Sequence, residues 1–362
     1  MNKKIVIILV AVVVFVGAGF YIYQNFFQLG WPEGEQKGMP PGAQQFTMPG
    51  EEKKASLVRN YPLIIKVINE GPAMYGRGGP GSQGSITDEN LGEMKEIGFN
   101  TVQLLIIPEQ QNNEFRIEPY SKAVLFNDIV KIKKANLAVW VTLSYASGPA
   151  PEQKIDAYDK FKIPFLEFIK ETSKELEEYK VEYFSVHNEP ELVFKNQGWG
   201  AAETKSALID YFPTANATAR EKFSGKIINK ITELKYLSEN KEVLNASLEN
   251  VDIAAIDVGP PPGRMAIEFY KKEFDSYQTF AGFAKEKNVP WMVGEYWAYD
   301  YFQTPPDYVK QNQVKLAQAS FDAYLKAIPE GVGYTWNDFS AFGLEPNGEA
   351  TRLEVKSFFS KF

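Results

Sequence analysis

Asn188-Glu189-Pro190 follows directly on the apolar run at 181–186, and a second glutamate, Glu295, closes the run Trp291-Met292-Val293-Gly294. Two carboxylates delivered from two strand ends suit the cleavage of a glycosidic bond. One carboxyl protonates the leaving oxygen while the other attacks or stabilises the positive sugar carbon. The two glutamates lie far apart in the chain, so only a fold that gathers strand ends at one rim brings them together. Taken alone, Asn-Glu-Pro is equally a strand-ending turn, since Asn and Pro both favour turns. Glu191, just beyond the proline, is expected to face solvent or cap the loop.

The elements that must position this pair are legible in composition and rhythm. Of 362 residues, 44% are hydrophobic and 14% aromatic, ample for a buried core. The 39 basic and 46 acidic side chains give a net charge of −7 with no basic block, which argues against a nucleic-acid partner. Zero cysteines remove disulfides, zinc-thiolate sites and thiol nucleophiles. The single histidine, His187, rules out polyhistidine metal sites and weakens any Ser-His-Asp reading.

Residues 5–23 carry no charge and follow Lys3 and Lys4. At ~1.5 Å rise they make roughly 28 Å of helix, close to the ~30 Å hydrocarbon thickness of a bilayer. A retained transmembrane anchor over 1–27 is expected, with the lysines inside and the body of the chain outside the cytoplasm. Cleavage near Gly17-Ala18-Gly19 is the competing reading and also exports the body. Residues 28–59, rich in Gly, Pro, Gln, Glu and Lys, read as a flexible tether. The sequons at Asn216 and Asn245 carry little weight by themselves.

From 60 to 362 the chain alternates short β-branched or aromatic runs with longer amphipathic stretches, the rhythm of a parallel sheet wrapped by helices. Strands are expected at 62–68, 99–107, 137–144, 181–186, 226–230, 251–256, 289–294 and 331–336, the fifth being the faintest. Helices are expected at 88–97, between Thr87 as N-cap and Gly98 as stop, and at 122–135 and 156–179. Eight strands in this order predict an α/β fold, a closed (β/α)8 TIM barrel of about 300 residues. The stretch Gly76-Arg77-Gly78-Gly79-Pro80-Gly81 contains proline and lacks a Lys-Ser/Thr partner, so it reads as a mobile rim loop instead of a phosphate cradle.

With those positions in place the chain resembles the clan of retaining glycoside hydrolases that includes the cellulases and mannanases of family 5. The resemblance rests on Asn188-Glu189 ending strand four, Glu295 ending strand seven and Trp336 ending strand eight. It implies that Glu189 is the general acid/base, Glu295 the nucleophile and Asn188 the ligand of the sugar 2-hydroxyl, with no metal or organic cofactor. Family 5 has an arginine near the end of strand two, where this chain has Gln103, and a His-x-Tyr after strand six, where it has Asp257-Val258-Gly259. Another residue, Tyr334 or Tyr296, would then have to orient Glu295.

Sugar faces stack on aromatic rings. Tyr145, Trp199, Tyr296, Trp297, Tyr299, Tyr334 and Trp336 are the candidates, with Trp336 and Trp297 foremost and Gln103 as a polar contact. Trp140 and Trp291, inside their strands, read as core. His187 points away from Asn188 by strand alternation and reads as a hydrogen-bonded support. The expectation is a monomeric, membrane-tethered retaining glycosidase acting on a β-linked poly- or oligosaccharide. A non-catalytic carbohydrate-binding or surface structural protein on the same barrel is the alternative.

Overall fold

The computed structural model describes residues 48–50, 54, 56–76, 86–146, 154–232, 234–258, 274–296, 307–327, 331–337 and 346–362. The expected anchor at 5–23, most of the tether, the glycine-rich loop past Gly76, Trp297 and Tyr299 lie outside the described residues. Among the described residues no helix is long and apolar enough to cross a membrane.

In chain order the strands are β1 (Ile65–Gly76), β2 (Thr101–Ile107), β3 (Glu109–Gln111), β4 (Glu114–Arg116), β5 (Ala138–Leu143), β6 (Tyr183–Ser185), β7 (Lys226–Ile231), β8 (Ile253–Val258), β9 (Trp291–Tyr296) and β10 (Gly331–Trp336). β3 and β4 form a small antiparallel pair, and the other eight close into a barrel in the order β1-β10-β9-β8-β7-β6-β5-β2. The helices are α1 (Asp88–Ile97), α2 (Pro119–Lys134), α3 (Tyr158–Glu178), α4 (Pro190–Lys195), α5 (Ala201–Arg220), α6 (Leu234–Glu239), α7 (Lys241–Ser247), α8 (Ser276–Glu286), α9 (Asp307–Ala327) and α10 (Gly348–Phe359). The expected (β/α)8 closure is therefore present, and β10 and α1 have the expected bounds.

Local chemistry explains these elements. The Thr87 side chain accepts from the Asn90 backbone N–H, and Gly98 ends α1 at φ 108°, a left-handed value that glycine adopts freely. On α3 the buried residues Phe161, Phe165, Phe168, Ile169, Thr172 and Leu176 recur at helical spacing, forming one apolar stripe against the sheet. The β3–β4 hairpin is absent from the sequence reading. It turns on Asn112 (φ 52°) and Asn113 (φ 64°), two residues of a type that tolerates the left-handed region.

Alternation along the strands separates two cores. Ile65, Val67, Ala138, Trp140, Tyr183, Ile228, Ile253, Ala255 and Met292 fill the barrel interior. The residues between them face the helices; Trp291 is one, packed near Phe280 and Tyr324. Gly333 lets the first and last strands meet, since a Cβ there would lie 2.7 Å from the Ile65 carbonyl oxygen.

The chain before β1 lies across the barrel's N-terminal pole. Lys54 pairs with Glu178 at 2.9 Å, and Arg59 donates to the Val181 carbonyl at 2.8 Å and pairs with Glu177. The backbone of Asn60 donates to Glu182, a fully buried carboxylate that also takes Lys133 and the Val139 N–H. Docking of the chain thus begins before residue 60. Asn216, one of the two sequon asparagines, is fully buried and donates to the Glu249 carbonyl at 3.0 Å, which closes it to a glycan.

One buried acid on the helix layer gives a stability prediction. Asp128 on α2 accepts from the Tyr75 hydroxyl at 2.9 Å, and its burial raises the carboxyl pKa to about 6 against the opposing pull of Tyr75 and Lys131. A folded pKa above the unfolded ~3.9 means the folded state binds the proton more tightly. The resulting penalty is absent below about pH 4, grows up to about pH 6 and is complete above it. Asp128→Asn removes it, so the variant should gain roughly 2–3 kcal/mol at pH 8 relative to its standing at pH 4. Equal differences between variant and parent in denaturant midpoints at the two pH values would contradict this.

Candidate active site

Four consecutive barrel strands, β6 to β9, bring their C-terminal ends to one side chain, Lys230. Three residues beyond β6, Asn188 bridges to Lys230 of β7 in parallel register. Glu189 follows in a left-handed conformation, φ 48° and ψ 54°. Pro190 opens α4 and disfavours the ordinary helical region for the residue before it, and the left-handed backbone stores on the order of 1–3 kcal/mol at this position.

Glu295 reaches the interior through an irregularity. Along β8 and β9 the register runs Ala255 with Met292 and Ile256 with Val293, then skips to Asp257 with Glu295. Gly294 is the extra residue. The bulge reverses the alternation, so Glu295 joins Met292 on the inward face. A side chain at Gly294 would collide with the Asp257 carboxyl and the Ala255 Cβ.

The Lys230 ammonium is fully buried. It donates to Asn188 Oδ1 at 2.6 Å and to Glu295 Oε1, and lies 3.3 Å from Asp257 Oδ2. The Trp140 ring lies beneath it at 5.7 Å. Asn188 Nδ2 points to Glu189 Oε2 at 3.3 Å, and Asn337 Nδ2 donates to Glu295 Oε2 at 3.1 Å. Asn69 of β1 supports Asn337 at 3.3 Å. The expected pair Glu189 and Glu295, with Asn188, therefore lies in one connected polar group.

The electrostatics divide the acids. Burial, reinforced by the charge of Glu295, raises the Glu189 pKa to about 8, although Lys230 pulls the other way. Burial also holds Asp257 well above the usual carboxylate range, again against Lys230. For Lys230, burial favours the neutral amine, but Asp257 and Glu295 outweigh it and the ammonium is held above its ordinary value. His187 sits on the outward side as expected. Its Nδ1 meets the Tyr211 hydroxyl at 3.0 Å, its Nε2 meets the Tyr145 carbonyl at 2.9 Å, and burial lowers its pKa to about 4. Among the described residues no three His, Asp or Glu side chains form a cluster that could hold a metal ion.

The aromatic expectations fare differently. Tyr296, one residue past Glu295, is turned outward by the same bulge and packs on Trp336 at 5.1 Å. Trp336 is 3% exposed and also meets Phe321 of α9. Tyr334 is enclosed by Phe321, Tyr324 and Phe358, its hydroxyl 2.7 Å from Ser320 Oγ. These three belong to the layer between sheet and helices, so the expectation that they contact sugar or orient Glu295 is corrected. Asn337, one position on from Trp336, holds the inward place. Tyr145 is buried against Phe115 and Phe161, its hydroxyl donating to Gln110 at 2.9 Å, and is likewise a support and not a platform.

Trp199 is half-buried against Phe194 at 5.4 Å. Gln103 is fully buried and donates to Thr142 at 2.9 Å. Glu191 corrects another expectation. It is wholly buried and accepts from the Thr232 backbone N–H, tying the start of α4 to the end of β7. Sequence reasoning passed over Lys230 and Asn337 as site residues. The signal for the first was a charge set inside the apolar run Ile227-Ile228-Asn229-Lys230-Ile231.

The chain is a closed parallel (β/α)8 barrel with its acids gathered at the C-terminal strand ends, the rim where barrels of this fold carry their active sites. Among solved structures the chain is similar to a GH113 β-1,4-mannanase (TM-score 0.56, 13% identity, covering 83% of this chain and 100% of that one). It is also similar to a glycoside hydrolase family 5 enzyme from Prevotella bryantii B14 (TM-score 0.60, 12% identity, 87% and 100%). A third is a trimodular GH5_4 subfamily endoglucanase (TM-score 0.62, 14% identity, 85% and 61%). At these identities the likeness is one of fold. No protein-family model and no curated protein matches the sequence.

Proposed function

We propose that the chain is a retaining glycoside hydrolase that cleaves a β-linked poly- or oligosaccharide by double displacement. The observation that carries the reading is the opposition of two neighbouring carboxyls. Glu189 keeps its proton up to about pH 8, while Glu295 accepts from an ammonium and an amide, the surroundings of a carboxylate. Glu189 gives its proton to the glycosidic oxygen as the bond to the leaving sugar breaks, and Glu295 attacks the anomeric carbon to form a glycosyl ester. That ester no longer carries the charge that raised Glu189. The carboxylate left on Glu189 then removes a proton from water, which attacks the same carbon and releases Glu295. Asn188, bonded to both Lys230 and Glu189, takes the sugar 2-hydroxyl in this reading, the role the resemblance implies for it. Lys230 does not suit imine chemistry, because its ammonium is held above its ordinary pKa.

The β-linkage is supported by the fold relative whose name records a β-1,4-mannanase. The apolar segment at 5–23 supports a location outside the cytoplasm, tethered to a membrane, or secreted if it is cleaved.

The test is an NMR assay of the anomer first released from a panel of aryl β-glycosides and β-linked oligosaccharides. Retention is expected. Inversion would exclude a covalent intermediate, and glycan binding without hydrolysis would favour a carbohydrate-binding barrel. The pH profile supplies a second expectation. Glu189 must be protonated for the first step, so kcat/KM should fall as pH rises through about 8. A flat profile from pH 7 to pH 10 would remove Glu189 as the acid.

A further inference from the structure

A buried ammonium is costly unless each of its donors is matched, and the unmatched ion loses several kcal/mol of hydration. Lys230 is compensated from three strand ends: it donates to Asn188 Oδ1 after β6 and to Glu295 Oε1 on β9, and forms an ion pair with Asp257 Oδ2 on β8 at 3.3 Å. Its cation also lies over the Trp140 face, and the Trp140 N–H is fixed by Ser185 at 2.9 Å. The strand-two position, where the clan carries an arginine, holds Gln103, whose amide donates to Thr142.

We propose that Lys230 is the positioning residue of this site, holding Glu295 in its attacking orientation and locking the Asn188 amide so that its N–H faces Glu189 and the substrate. The inference deepens the glycosidase reading and rests on it. One cation joins the nucleophile side to the acid side, so the two carboxyls are set relative to each other by a single group. Among the described residues, Asp257, Glu295 and Glu189 are the titratable groups around it. When Glu295 bonds to the anomeric carbon and its charge is lost, the proton has already passed from Glu189 to the departing oxygen. The ammonium then faces the Glu189 carboxylate and Asp257, and the net charge of the cluster is unchanged. A lysine serves this exchange because its donors can redistribute among acceptors, whereas an arginine fork is fixed in one plane.

The probes are 2,4-dinitrophenyl 2-deoxy-2-fluoro-β-mannoside and the matching glucoside, which trap the glycosyl ester. Labelling is followed by intact mass, and the pH profile by release of dinitrophenolate from the unfluorinated glycosides. Lys230→Met keeps the volume without the charge. It should slow labelling on the order of 10²- to 10³-fold and move the acid-side limb of the profile upward by about one to two pH units.

Because the chain contains no cysteine, Lys230→Cys can be aminoethylated at that one position in the unfolded chain and refolded, which restores an ammonium at nearly the original length. Recovery of both the labelling rate and the limb is expected. A role confined to packing predicts an unmoved limb in Lys230→Met and no benefit from the restored charge, and either result overturns the proposal. If Lys230→Met does not fold, Lys230→Gln, which keeps a hydrogen-bond donor, is read in the same way. Label on the parent protein with an indifferent Lys230 defeats this proposal alone. A parent that takes no label and hydrolyses no glycoside defeats the glycosidase reading as well.

Discussion

Glu295→Ala is expected to abolish turnover, with a loss on the order of 10⁵-fold or more in kcat, while the barrel remains folded. Of the other carboxyls at the site, Asp257 is directed at Gly294, and the proposed mechanism gives Glu189 the proton transfer. Stability should change little, because the charge left on Lys230 is not stranded. Asp257 lies 3.3 Å from the ammonium, and burial, together with the charge of Glu295 and against the pull of Lys230, holds its carboxyl above the usual range. Without Glu295 it ionises more readily and takes over as counter-ion. A small external anion such as azide fits the vacated space and should restore part of the rate, giving a glycosyl azide of inverted configuration. Activity of Glu295→Ala within tenfold of the parent, without added azide, would dismiss Glu295 as the nucleophile.

Glu189→Gln should show a loss that depends on what departs. With a sugar leaving group, which needs protonation, kcat/KM is expected to fall about 10²- to 10⁴-fold. With 2,4-dinitrophenolate, which departs without help, the bond-breaking step should be nearly unaffected and the ester should accumulate, because its hydrolysis still needs a base. The fall in activity near pH 8 should vanish with the carboxyl responsible for it. A uniform loss on both classes of substrate, with the basic limb unchanged, would place proton transfer on another residue.

The parts of this site legible in sequence are those fixed by local grammar. Asn188-Glu189-Pro190 and Glu295 could be found because each closes an apolar run, and β10 because a glycine and a tryptophan bound it. The inward or outward sense of neighbouring residues was not equally legible. Strict alternation gave no reason to place Asn337 inside in preference to Trp336. The bulge that turns Tyr296 away from the site is announced only by one glycine in a strand, and nothing local distinguishes that from an ordinary packing glycine. Lys230 was hidden for a different reason. Its value lies in three partners contributed by separate strands, and the fifth strand was the faintest in the pattern, although it forms fully from Lys226 to Ile231. Glu191 shows the same limit, since only the arrival of Thr232 from β7 makes a buried carboxylate tolerable there.

The segment leading into β1 is stitched by Arg59 and Asn60 to the ends of β6 and β7 farthest from the carboxylates. A chain arriving there approaches the cylinder from its closed floor. Along the described residues 56–60 the entering chain therefore runs at the pole opposite the rim that carries Glu189 and Glu295.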